Sequence, residues 1–354
     1  MKVGITIRRW SERGGLEGNV LGLARHLVDR GHEVHVVAQR FEADAHGVAT
    51  HRLDGVPAWP EWRRIQRFSS IAARALVEIG CDVTFTSSAV TGPEVVRLEG
   101  GLVEEYWSAY PSARWQPRER VLARIDHARI AQSKAVLTLS DMTAEAIAER
   151  HAIARSRIHV VRNGVDLEHF LPEHPSLSLN DARAPVVGFV GSGFRRKGLA
   201  PLIRAMQGLK ARLLVAGIDR RAAQYVRLAQ RLGVDLEYLG FVHDVRTILR
   251  RADVIAVPSF YDPFGLVVLE ALAVGRPVVT TRTTGAHEIS PFSDLVVEAP
   301  RPELLREALK RAFLHAADPD TVERARTAAM AWPRDRTYAQ VEAILHSVAN
   351  SGIP

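Results

Sequence analysis

Two carboxylates and the short turn between them are the residues of this sequence that most clearly suggest a chemistry. Asp262 and Glu270 stand on either side of a Pro-Phe-Gly turn that opens an apolar helix. The first N–H groups of a helix have no intrahelical partner, and with the helix dipole they attract anions and sugar hydroxyls. We expect Asp262 to bind sugar hydroxyls, Glu270 to lean back toward a ribose diol, and the first turn to line the site with Phe264, Gly265, Leu266 and Val267. The alternative is an ordinary buried helix with a capping Asp.

A pair of cations follows another predicted strand. Arg196 and Lys197 come after a glycine-containing turn and stand directly before Gly198. Fixed cations at the end of a strand could neutralise the charge that develops on a diphosphate as it leaves a sugar. The alternative is a solvated basic triplet on the surface.

The loop after the first predicted strand carries glycines as well. Gly14 and Gly15 would let backbone N–H groups approach a β-phosphate, and the helix expected near Leu16 would add its dipole. Asn19, one turn into that helix, could reach the sugar or the acceptor. A dinucleotide-binding fingerprint would need glycine where Arg13 stands, so a nicotinamide-dependent oxidoreductase is disfavoured. A flexible surface loop is the other alternative.

These segments occur together in a known family. The segment that contains Asp262 and Glu270 resembles the E-x7-E region of the retaining GT-B glycosyltransferases of family 4, with Asp262 in place of the first Glu. The lipopolysaccharide core glucosyltransferase group also shows the GS-x-F-x-RKG pattern found here. The resemblance rests on five segments in the same order: GGLEGNVLGLARHLVDRGHEVHVV, RNGVDLEHFLP, GFVGSGFRRKGL, GFVHDVRTILRRADVIAVPS and PSFYDPFGLVVLEALAVGRPVVTTRTTGAHE.

The resemblance implies roles for particular residues. It makes Arg196 and Lys197 the phosphate clamp, and it places the nucleotide base against the backbone around Val242, where Gly240 permits close approach. Many relatives have a histidine near the acceptor in the first domain. The corresponding region, FTSSAVTGPEVVRLEGG, contains none, and Glu94 is the ionisable residue that we assign there. A solvated helix start is an equal alternative for Glu94.

Short β-branched runs alternate with longer helical stretches along the chain, which indicates parallel sheets covered on both faces. We expect an α/β fold of two doubly wound, Rossmann-like domains that face a cleft, with ligands at the carboxyl ends of the strands. Residues 1–170 would form the acceptor-side domain and 184–332 the nucleotide-sugar-binding domain. Residues 333–354 resemble the family's helix that crosses back onto the first domain, and Leu171 to Ala184 is expected to be a linker. The predicted strands are KVGITI, EVHVVAQ, DVTFTSS, AVLTLS, IHVVRN, PVVGFVGS, ARLLVAGI, LEYLGF, DVIAVPS, PVVTTR and DLVVEA.

Composition sets the expected compartment. The 354 residues, 47% of them apolar, suit two domains with cores of their own. The single cysteine, Cys81, begins a strand-like run and is expected to be a small buried hydrophobe, so no disulfide framework is predicted. The first apolar run is too short for a signal peptide or a membrane span. We therefore expect a cytoplasmic protein, with the inner face of the cell membrane as the alternative location.

The charge predicts negatively charged partners. The formal net charge is +7, which suits nucleotide diphosphates or anionic lipid. Trp59 and Trp62 stand beside Arg63, Arg64 and Arg67, a combination that an anionic membrane interface attracts. A helix packed by its Trp side is the alternative. No RNA-binding module is recognised, so nucleic acid is not an expected partner.

Neither a metal nor a cofactor is expected. Asp318 and Asp320 form a D-x-D pair, but they stand between two helical runs where they would cap a helix. We find no His/Cys cluster with ligand spacing. Arg196, Lys197 and a helix N-terminus would take the place of a metal, and the nucleotide sugar would be a substrate.

The expected activity is retaining, metal-independent transfer of a hexose. The donor would be a nucleoside-diphosphate sugar, and the acceptor an envelope glycoconjugate or another cytoplasmic glycan, glycolipid or small molecule. Two alternatives remain open: a hydrolysing nucleotide-sugar epimerase of the same fold, and a non-catalytic nucleotide-sugar-binding subunit. UDP and GDP donors are not distinguished by the sequence.

Overall fold

The computed structural model of the chain describes residues 1–12, 14–172 and 183–351. Arg13 and most of the expected linker between Leu171 and Ala184 lie outside these residues. The described chain forms two compact units. Unit 1 comprises Met1–Arg162 together with Asp335–Pro354, and unit 2 comprises Asn163–Arg334.

Unit 1 is built on a parallel sheet whose spatial order, among the described residues, is β3-β2-β1-β4-β5-β6-β7. The strands are β1 (Lys2–Trp10), β2 (Glu33–Phe41), β3 (Ala49–Arg52), β4 (Val83–Thr86), β5 (Val95–Arg97), β6 (Ala135–Thr138) and β7 (Ile158–Val160). The helices that connect them are α1 (Gly15–Asp29), α2 (Glu61–Ile79), α3 (Val103–Ala109), α4 (Pro117–Gln132) and α5 (Asp141–Arg150), with 3₁₀ turns at Pro111–Trp115 and Arg155–Arg157.

Unit 2 repeats this plan with a parallel sheet whose order, in the part of the chain that is described, is β10-β9-β8-β11-β12-β13. Its strands are β8 (Val186–Val190), β9 (Arg212–Ala216), β10 (Asp235–Gly240), β11 (Val254–Val257), β12 (Val278–Thr281) and β13 (Val296–Val297). Its helices are α6 (Leu199–Met206), α7 (Ala222–Arg231), α8 (Arg246–Arg251), α9 (Leu266–Ala273), α10 (Pro302–Ala317) and α11 (Asp320–Met330), with 3₁₀ turns at Gly285–Ile289 and Ser293–Leu295.

The last described helix, α12 (Arg334–Asn350), returns to unit 1. It buries Tyr338, Val341, Leu345 and Val348 in the same apolar cluster as residues of β1, β2 and α1. The side chains that α12 contributes recur every three to four residues, which is the spacing of one helical face. The expected return of residues 333–354 to the first domain therefore corresponds to a helix that completes the core of unit 1.

Both sheets reverse their strand order next to their first strand. In unit 1 the reversal lies between β1 and β4, and in unit 2 it lies between β8 and β11. At such a switch point two neighbouring loops leave the carboxyl ends of their strands in opposite directions and open a crevice for a ligand. The loops after β8 and β11 contain the predicted cations and Asp262, so the topology brings them together.

The expected fold class is confirmed: each unit is a doubly wound parallel sheet, and every predicted strand is present. Two strands were missed, β3 and β5, which span only four and three residues. β3 lies at the sheet edge and exposes most of its side chains, so it lacks the apolar run by which we recognised the others.

Candidate active site

The loop after β8 holds Arg196 and Lys197 in a fixed turn. Phe194 anchors this loop, because its buried ring packs edge-to-face on Phe189 with centroids 5.8 Å apart. Lys197 N–H donates to the carbonyl of Gly193 at 3.2 Å. Gly198, with φ of +76°, ends the turn, and a Cβ there would lie 1.9 Å from the carbonyl oxygen of Pro258. Glycine at this position therefore lets the two switch-point loops touch.

Asp262 lies in the neighbouring loop, after β11, and joins the two cations. Lys197 Nζ donates to Asp262 Oδ2, and Arg196 Nη1 lies 3.8 Å from the same oxygen. Arg196 also donates to the carbonyl of Tyr261 at 2.9 Å. The Asp262 backbone forms a parallel bridge with Thr284, which fixes the backbone of this loop. The structure thus brings Asp262 together with two neighbouring cations that are remote from it in sequence.

The charge of this cluster suits an anion. Burial raises the pKa of Asp262, but the charges of Lys197 and Arg196 outweigh burial and hold that pKa below its usual value. Asp262 is therefore ionised at neutral pH and is not a proton donor. Two cations and one carboxylate leave one net positive charge beside the N-terminus of α9, where a diphosphate would be favoured.

The beginning of α9 differs from the expectation. The helix starts at Leu266, with Gly265 as its N-cap at φ of +85°, so Phe264 does not belong to the first turn. Its side chain is fully buried, its N–H bonds to Asp262, and its carbonyl accepts from Ala286 N–H at 2.6 Å. Phe264 is a core anchor with no N–H left for a donor sugar. Leu266 and Val267 do lie in the first turn.

Glu270 lies one turn further along α9, in a partly buried position. Burial raises its pKa to about 7, although the charges of Arg334 and Lys197 act against this. The presence of Lys197 among these charges places Glu270 beside the cation cluster. A carboxyl that changes charge near neutral pH is unusual outside functional sites. Asp262 and Glu270 thus have different protonation behaviour within one site.

Arg334 is a residue that the sequence did not single out. Its backbone N–H donates to Val165 at 3.1 Å, and a Cβ on Gly164 would lie 2.5 Å from Arg334 Cα. The glycine of the RNG segment therefore allows the chain before α12 to approach closely and brings the Arg334 charge to Glu270. The segment was recognised as part of the family pattern, but this contact depends on residues far apart in sequence.

Val242 follows β10 at the carboxyl end of its strand. Gly240 closes that strand with φ of +66°, and its carbonyl accepts from Gly217 N–H at 2.7 Å. Val242 is partly buried between the exposed residues Phe241 and His243. This position is compatible with the predicted contact to a base, which stays a prediction.

The loop after β1, in unit 1, shows an unexpected charge. Gly14 is the N-cap of α1 at φ of +101°, and Gly15 is the first helical residue. Glu17 Oε2 lies 2.7 Å from the point that a Gly14 Cβ would occupy. A β-phosphate bound at Gly14 and Gly15 would therefore meet a carboxylate unless the Glu17 side chain turned away. The phosphate-binding role of these glycines remains a prediction.

Asn19 lines a small cavity at the switch point of unit 1. Ser87 follows β4, and its Oγ has no hydrogen-bond partner among the described residues. Arg97 and Glu99, at the end of β5, form an ion pair with 2.8 Å between Nε and Oε1, and both side chains are about 5% exposed. The residues that line the cavity are Asn19, Val20, Leu23, Phe85, Ser87, Arg97, Glu99, Thr337 and Tyr338. This set of polar groups could bind hydroxyls.

Glu94 lies at the amino ends of the strands, a position that does not support its predicted role near an acceptor. It precedes β5 and therefore marks the amino end of the strand. Its carboxylate accepts from Thr84 N–H at 3.2 Å and pairs with Lys134 at 2.9 Å. Ligands of doubly wound sheets bind at the carboxyl ends. Glu99 is the carboxylate that follows the carboxyl end of β5, and it could not be placed because β5 was not predicted.

Aromatic and basic residues meet where α2 and α4 begin. Trp59 and Trp115 are 84% and 70% exposed, and Arg118 Nε lies 3.3 Å from Glu61 Oε1, so the two helix starts are neighbours. Arg63 and Arg114 each lie 5.0 Å from the ring of the tryptophan beside them. We call Trp59, Trp62, Arg63, Arg114 and Trp115 the aromatic–basic patch. Within the described ranges, no helix combines the length and the apolar character that a membrane crossing requires.

Two family models match the chain, one over most of unit 1 and the first residues of unit 2, the other within unit 2. The model described as Glycosyltransferase Family 4 matches residues 13–169, and the model described as Glycosyl transferases group 1 matches residues 184–315. The first match contains the loop with Gly14, Gly15 and Asn19. The second contains Arg196, Lys197, Asp262 and Glu270.

Known proteins are similar to this chain over most of its length and most of theirs. An uncharacterized glycosyltransferase of Methanocaldococcus jannaschii is 25% identical over 322 residues, 82% of each chain. The lipopolysaccharide glucosyltransferase WaaG of Escherichia coli is 25% identical over 346 residues, 88% of this chain and 90% of that one. A crystal structure of WaaG, a glycosyltransferase involved in lipopolysaccharide biosynthesis, superposes with a TM-score of 0.82 at 22% identity, covering 97% of this chain and 99% of that one.

A further solved structure concerns a ligand. Anabaena HepE in complex with UDP-glucose has a TM-score of 0.73 at 18% identity, covering 98% of this chain and all of that one. The two matched models, the relatives that span nearly the whole chain and the paired doubly wound sheets agree with one another. The chain belongs to family 4 of the glycosyltransferases, has their GT-B fold and is close to the lipopolysaccharide core glucosyltransferase group.

Proposed function

We propose that this glycosyltransferase moves a hexose from a nucleoside-diphosphate sugar to a hydroxyl of an envelope glycoconjugate, with retention of the anomeric configuration and without a metal at the diphosphate. The observation that carries the proposal is the cluster of Lys197, Arg196 and Asp262 at the N-terminus of α9. It supplies a fixed positive site where the leaving group would gain charge.

The proposed chemistry divides the labour among the residues. Lys197 and Arg196 bind the diphosphate, and Asp262 orients Lys197 and accepts sugar hydroxyls. Glu270, when ionised, accepts the ribose hydroxyls. The bond from the anomeric carbon to the phosphate oxygen breaks, the acceptor oxygen bonds to that carbon from the same face, and the departing phosphate takes the acceptor proton.

Two relatives support the substrate classes. HepE was crystallised with UDP-glucose, and WaaG is named for lipopolysaccharide. We therefore propose a UDP-hexose as the first donor to test and an envelope glycan or glycolipid as the acceptor. The cavity beside Asn19, Arg97 and Glu99 is our candidate for the acceptor hydroxyl in unit 1.

The direct experiment measures donor turnover on the purified chain. A thermal-shift panel of UDP, GDP and ADP sugars selects the donor, and release of the nucleoside diphosphate is then followed with and without a glycan acceptor. Acceptor-dependent release, with a product of the donor's anomeric configuration by NMR, is the expected result. Release and epimerisation without acceptor would identify the epimerase alternative, and binding without any release would identify a binding subunit.

A second part of the proposal concerns location. We propose that the aromatic–basic patch rests on the anionic inner face of the membrane, where a lipid-linked acceptor is presented. Exposed tryptophans and arginines on one edge of unit 1 support this, because indole rings and basic side chains both favour that interface.

A further inference from the structure

A carboxylate and a group of imidazoles meet on unit 1, at residues that the proposed transfer does not use. Glu342, on α12, is nearly buried. Its Oε2 lies 2.9 Å from His26 Nε2, and its Oε1 lies 2.9 Å from His32 Nε2. His346 Nε2 lies 4.0 Å from Oε1, and Arg30 Nε lies 3.6 Å from the same atom. The His32 ring also stacks edge-on against His346, with centroids 5.1 Å apart.

The spacing of the donor atoms fits one small ion. Glu342 and His346 lie one turn apart on α12 and therefore share a helix face. One ligand atom each from His32, Glu342 and His346 lies within 4.8 Å of the other two. Imidazole nitrogen and carboxylate oxygen bind Zn²⁺ at about 2.0–2.2 Å, which places ligands around one ion about 3–4 Å apart. Small rotations of the side chains would close this set around a cation.

We propose that His32, Glu342 and His346 form a binding site for Zn²⁺ or a similar transition-metal ion that fastens α12 to the body of unit 1. His26, bound to the second oxygen of Glu342, orients the carboxylate, and a water molecule completes the coordination. Arg30 is 65% exposed at its side chain, so it can turn into solvent as the ion enters.

The position of the ligands, on two different segments of unit 1, gives the ion a structural role. His32 comes from the turn between α1 and β2, while Glu342 and His346 come from α12. An ion shared by them would link segments more than 300 residues apart in sequence, at a helix whose apolar face completes the core. The inference departs from the expectation that the chain holds no metal, because histidines this far apart in sequence show no recognisable ligand spacing.

The test uses the full chain without a histidine tag, freed of metal by chelation and gel filtration. Titration with Zn²⁺ by calorimetry should show one site per chain, and Co²⁺ should give visible d–d absorption bands. Zn²⁺ at about 100 times its dissociation constant should raise the Tm by roughly 5–10 °C. Mg²⁺ at the same concentration should leave the Tm unchanged, because it prefers oxygen ligands.

Matched variants locate the site. His346 is about half exposed, so His346→Ala should fold normally, weaken Zn²⁺ binding at least tenfold and abolish most of the thermal shift. His51→Ala is the control, since His51 lies 2.8 Å from His35 and belongs to another imidazole pair of unit 1. Zn²⁺ binding that survives in His346→Ala or is lost in His51→Ala would overturn the proposal. The proposal would also fail if His346→Ala lowered the Tm while Zn²⁺ left the Tm of the parent chain unchanged. That result would mean that these residues form a hydrogen-bonded network without an ion.

Discussion

At the scale of single residues, the site of unit 2 depends on one shared carboxylate. Asp262 neutralises one of two cations and stays ionised, because the charges of Lys197 and Arg196 keep its pKa below the usual value. Glu270, on the neighbouring helix, has a pKa of about 7. Two acids of nearly the same chemistry are thus separated by their surroundings, one permanently charged and one titrating.

Replacement of Lys197 by alanine should lower the turnover number by roughly 10²–10³, the effect of losing one group that stabilises developing charge. Donor affinity should fall less than turnover, because the cation acts most strongly on the leaving group. Steady-state kinetics and calorimetry measure the two effects. Lys210→Ala, an exposed lysine of the same unit, is the control and should behave as the parent chain. Turnover within threefold of the parent in Lys197→Ala would remove Lys197 from the phosphate clamp.

Donor binding should strengthen as pH rises through 7. Below that pH, Glu270 is protonated and accepts hydroxyls poorly; above it, the ionised carboxyl accepts two. With a pKa of about 7, the ionised fraction and the affinity for a nucleotide sugar should rise about tenfold between pH 6 and pH 8. Calorimetry with a UDP sugar avoids a terminal phosphate that titrates in the same range.

Glu270→Gln is the control for this pH dependence. The amide cannot ionise, so its affinity should be flat with pH and, at pH 8, weaker than that of the parent chain by about 2–3 kcal/mol, as for hydrogen bonds to a charged group. A pH slope equal to that of the parent chain would assign the titration to another group. The same pKa shift affects folding: the protonated form is favoured in the native state, so this contribution to stability is present below about pH 4.5 and is lost as pH rises through about 7.

At the scale of elements, the loop after β8 depends on glycines whose backbone conformation disfavours any other residue. Gly198 and Gly193 flank the turn that carries the cations, and both have φ above +70°. Only Gly198 is also pressed against another loop, since its Cβ position lies 1.9 Å from a carbonyl oxygen, whereas Gly193 has nothing within 4 Å. The two positions therefore separate backbone strain from steric contact.

Alanine at Gly193 should lower the free energy of unfolding by about 1–2 kcal/mol, the cost of a left-handed conformation for an L-residue. Alanine at Gly198 should cost the same amount plus about 1–3 kcal/mol for overpacking, and it should also displace Lys197 and reduce turnover. Denaturant unfolding monitored by circular dichroism gives both values. Equal losses in the two variants would mean that the loops separate without penalty.

The features that could be predicted from the sequence are those encoded within a single helix, strand or loop. Continuous apolar strands such as β1 and β11 were recognised, and the rule that ligands bind at the carboxyl ends of parallel strands then pointed to the segments with Arg196, Lys197 and Asp262. Phe264 was assigned to the first turn of α9 because a Pro-Phe-Gly turn does not reveal that its ring packs inward. Glu99 was not considered, because β5, the three-residue strand that precedes it, was not predicted. Arg334 and Glu342 act through contacts between remote segments, which no local pattern contains.

At the scale of the whole molecule, the excess of basic residues has more than one origin. The net charge of +7 includes the cations beside α9, the arginines of the aromatic–basic patch and many arginines in surface ion pairs. Exposed pairs contribute little to stability. The patch differs from them, because two of its three tryptophans, Trp59 and Trp115, are mostly exposed.

The full chain should bind vesicles that contain anionic phospholipid and should leave them as salt is raised, since each basic residue near such a surface contributes about 1 kcal/mol that salt screens. The double variant Trp59→Ala, Trp115→Ala should sediment with these vesicles at least fivefold less well. Leu314→Ala, an exposed apolar residue of unit 2, is the control and should bind normally. Equal binding to zwitterionic vesicles, or no loss in the double variant, would dismiss the patch as a membrane contact.

Chelation should affect stability and catalysis differently. Arg196 and Lys197 are proposed to act where other transferases use a divalent ion, so EDTA should leave turnover intact at temperatures well below unfolding. The Tm should fall if the site at His32, Glu342 and His346 was occupied. Activity and melting curves recorded on the same chelated sample separate the two effects. A turnover that requires added Mg²⁺ or Mn²⁺ would contradict the metal-free clamp.

The return of α12 to unit 1 also sets the order in which the protein can mature on the ribosome. Residues 1–162 emerge first, yet the apolar cluster formed by β1, β2 and α1 lacks Tyr338, Val341 and Leu345 until the whole of unit 2 has been translated. The nascent first unit therefore keeps part of its apolar surface exposed until α12 is made. Unit 2 is contiguous in sequence and can fold as it emerges. A stop codon placed shortly before α12 would consequently harm the unit synthesised first, and chaperone dependence should concentrate there.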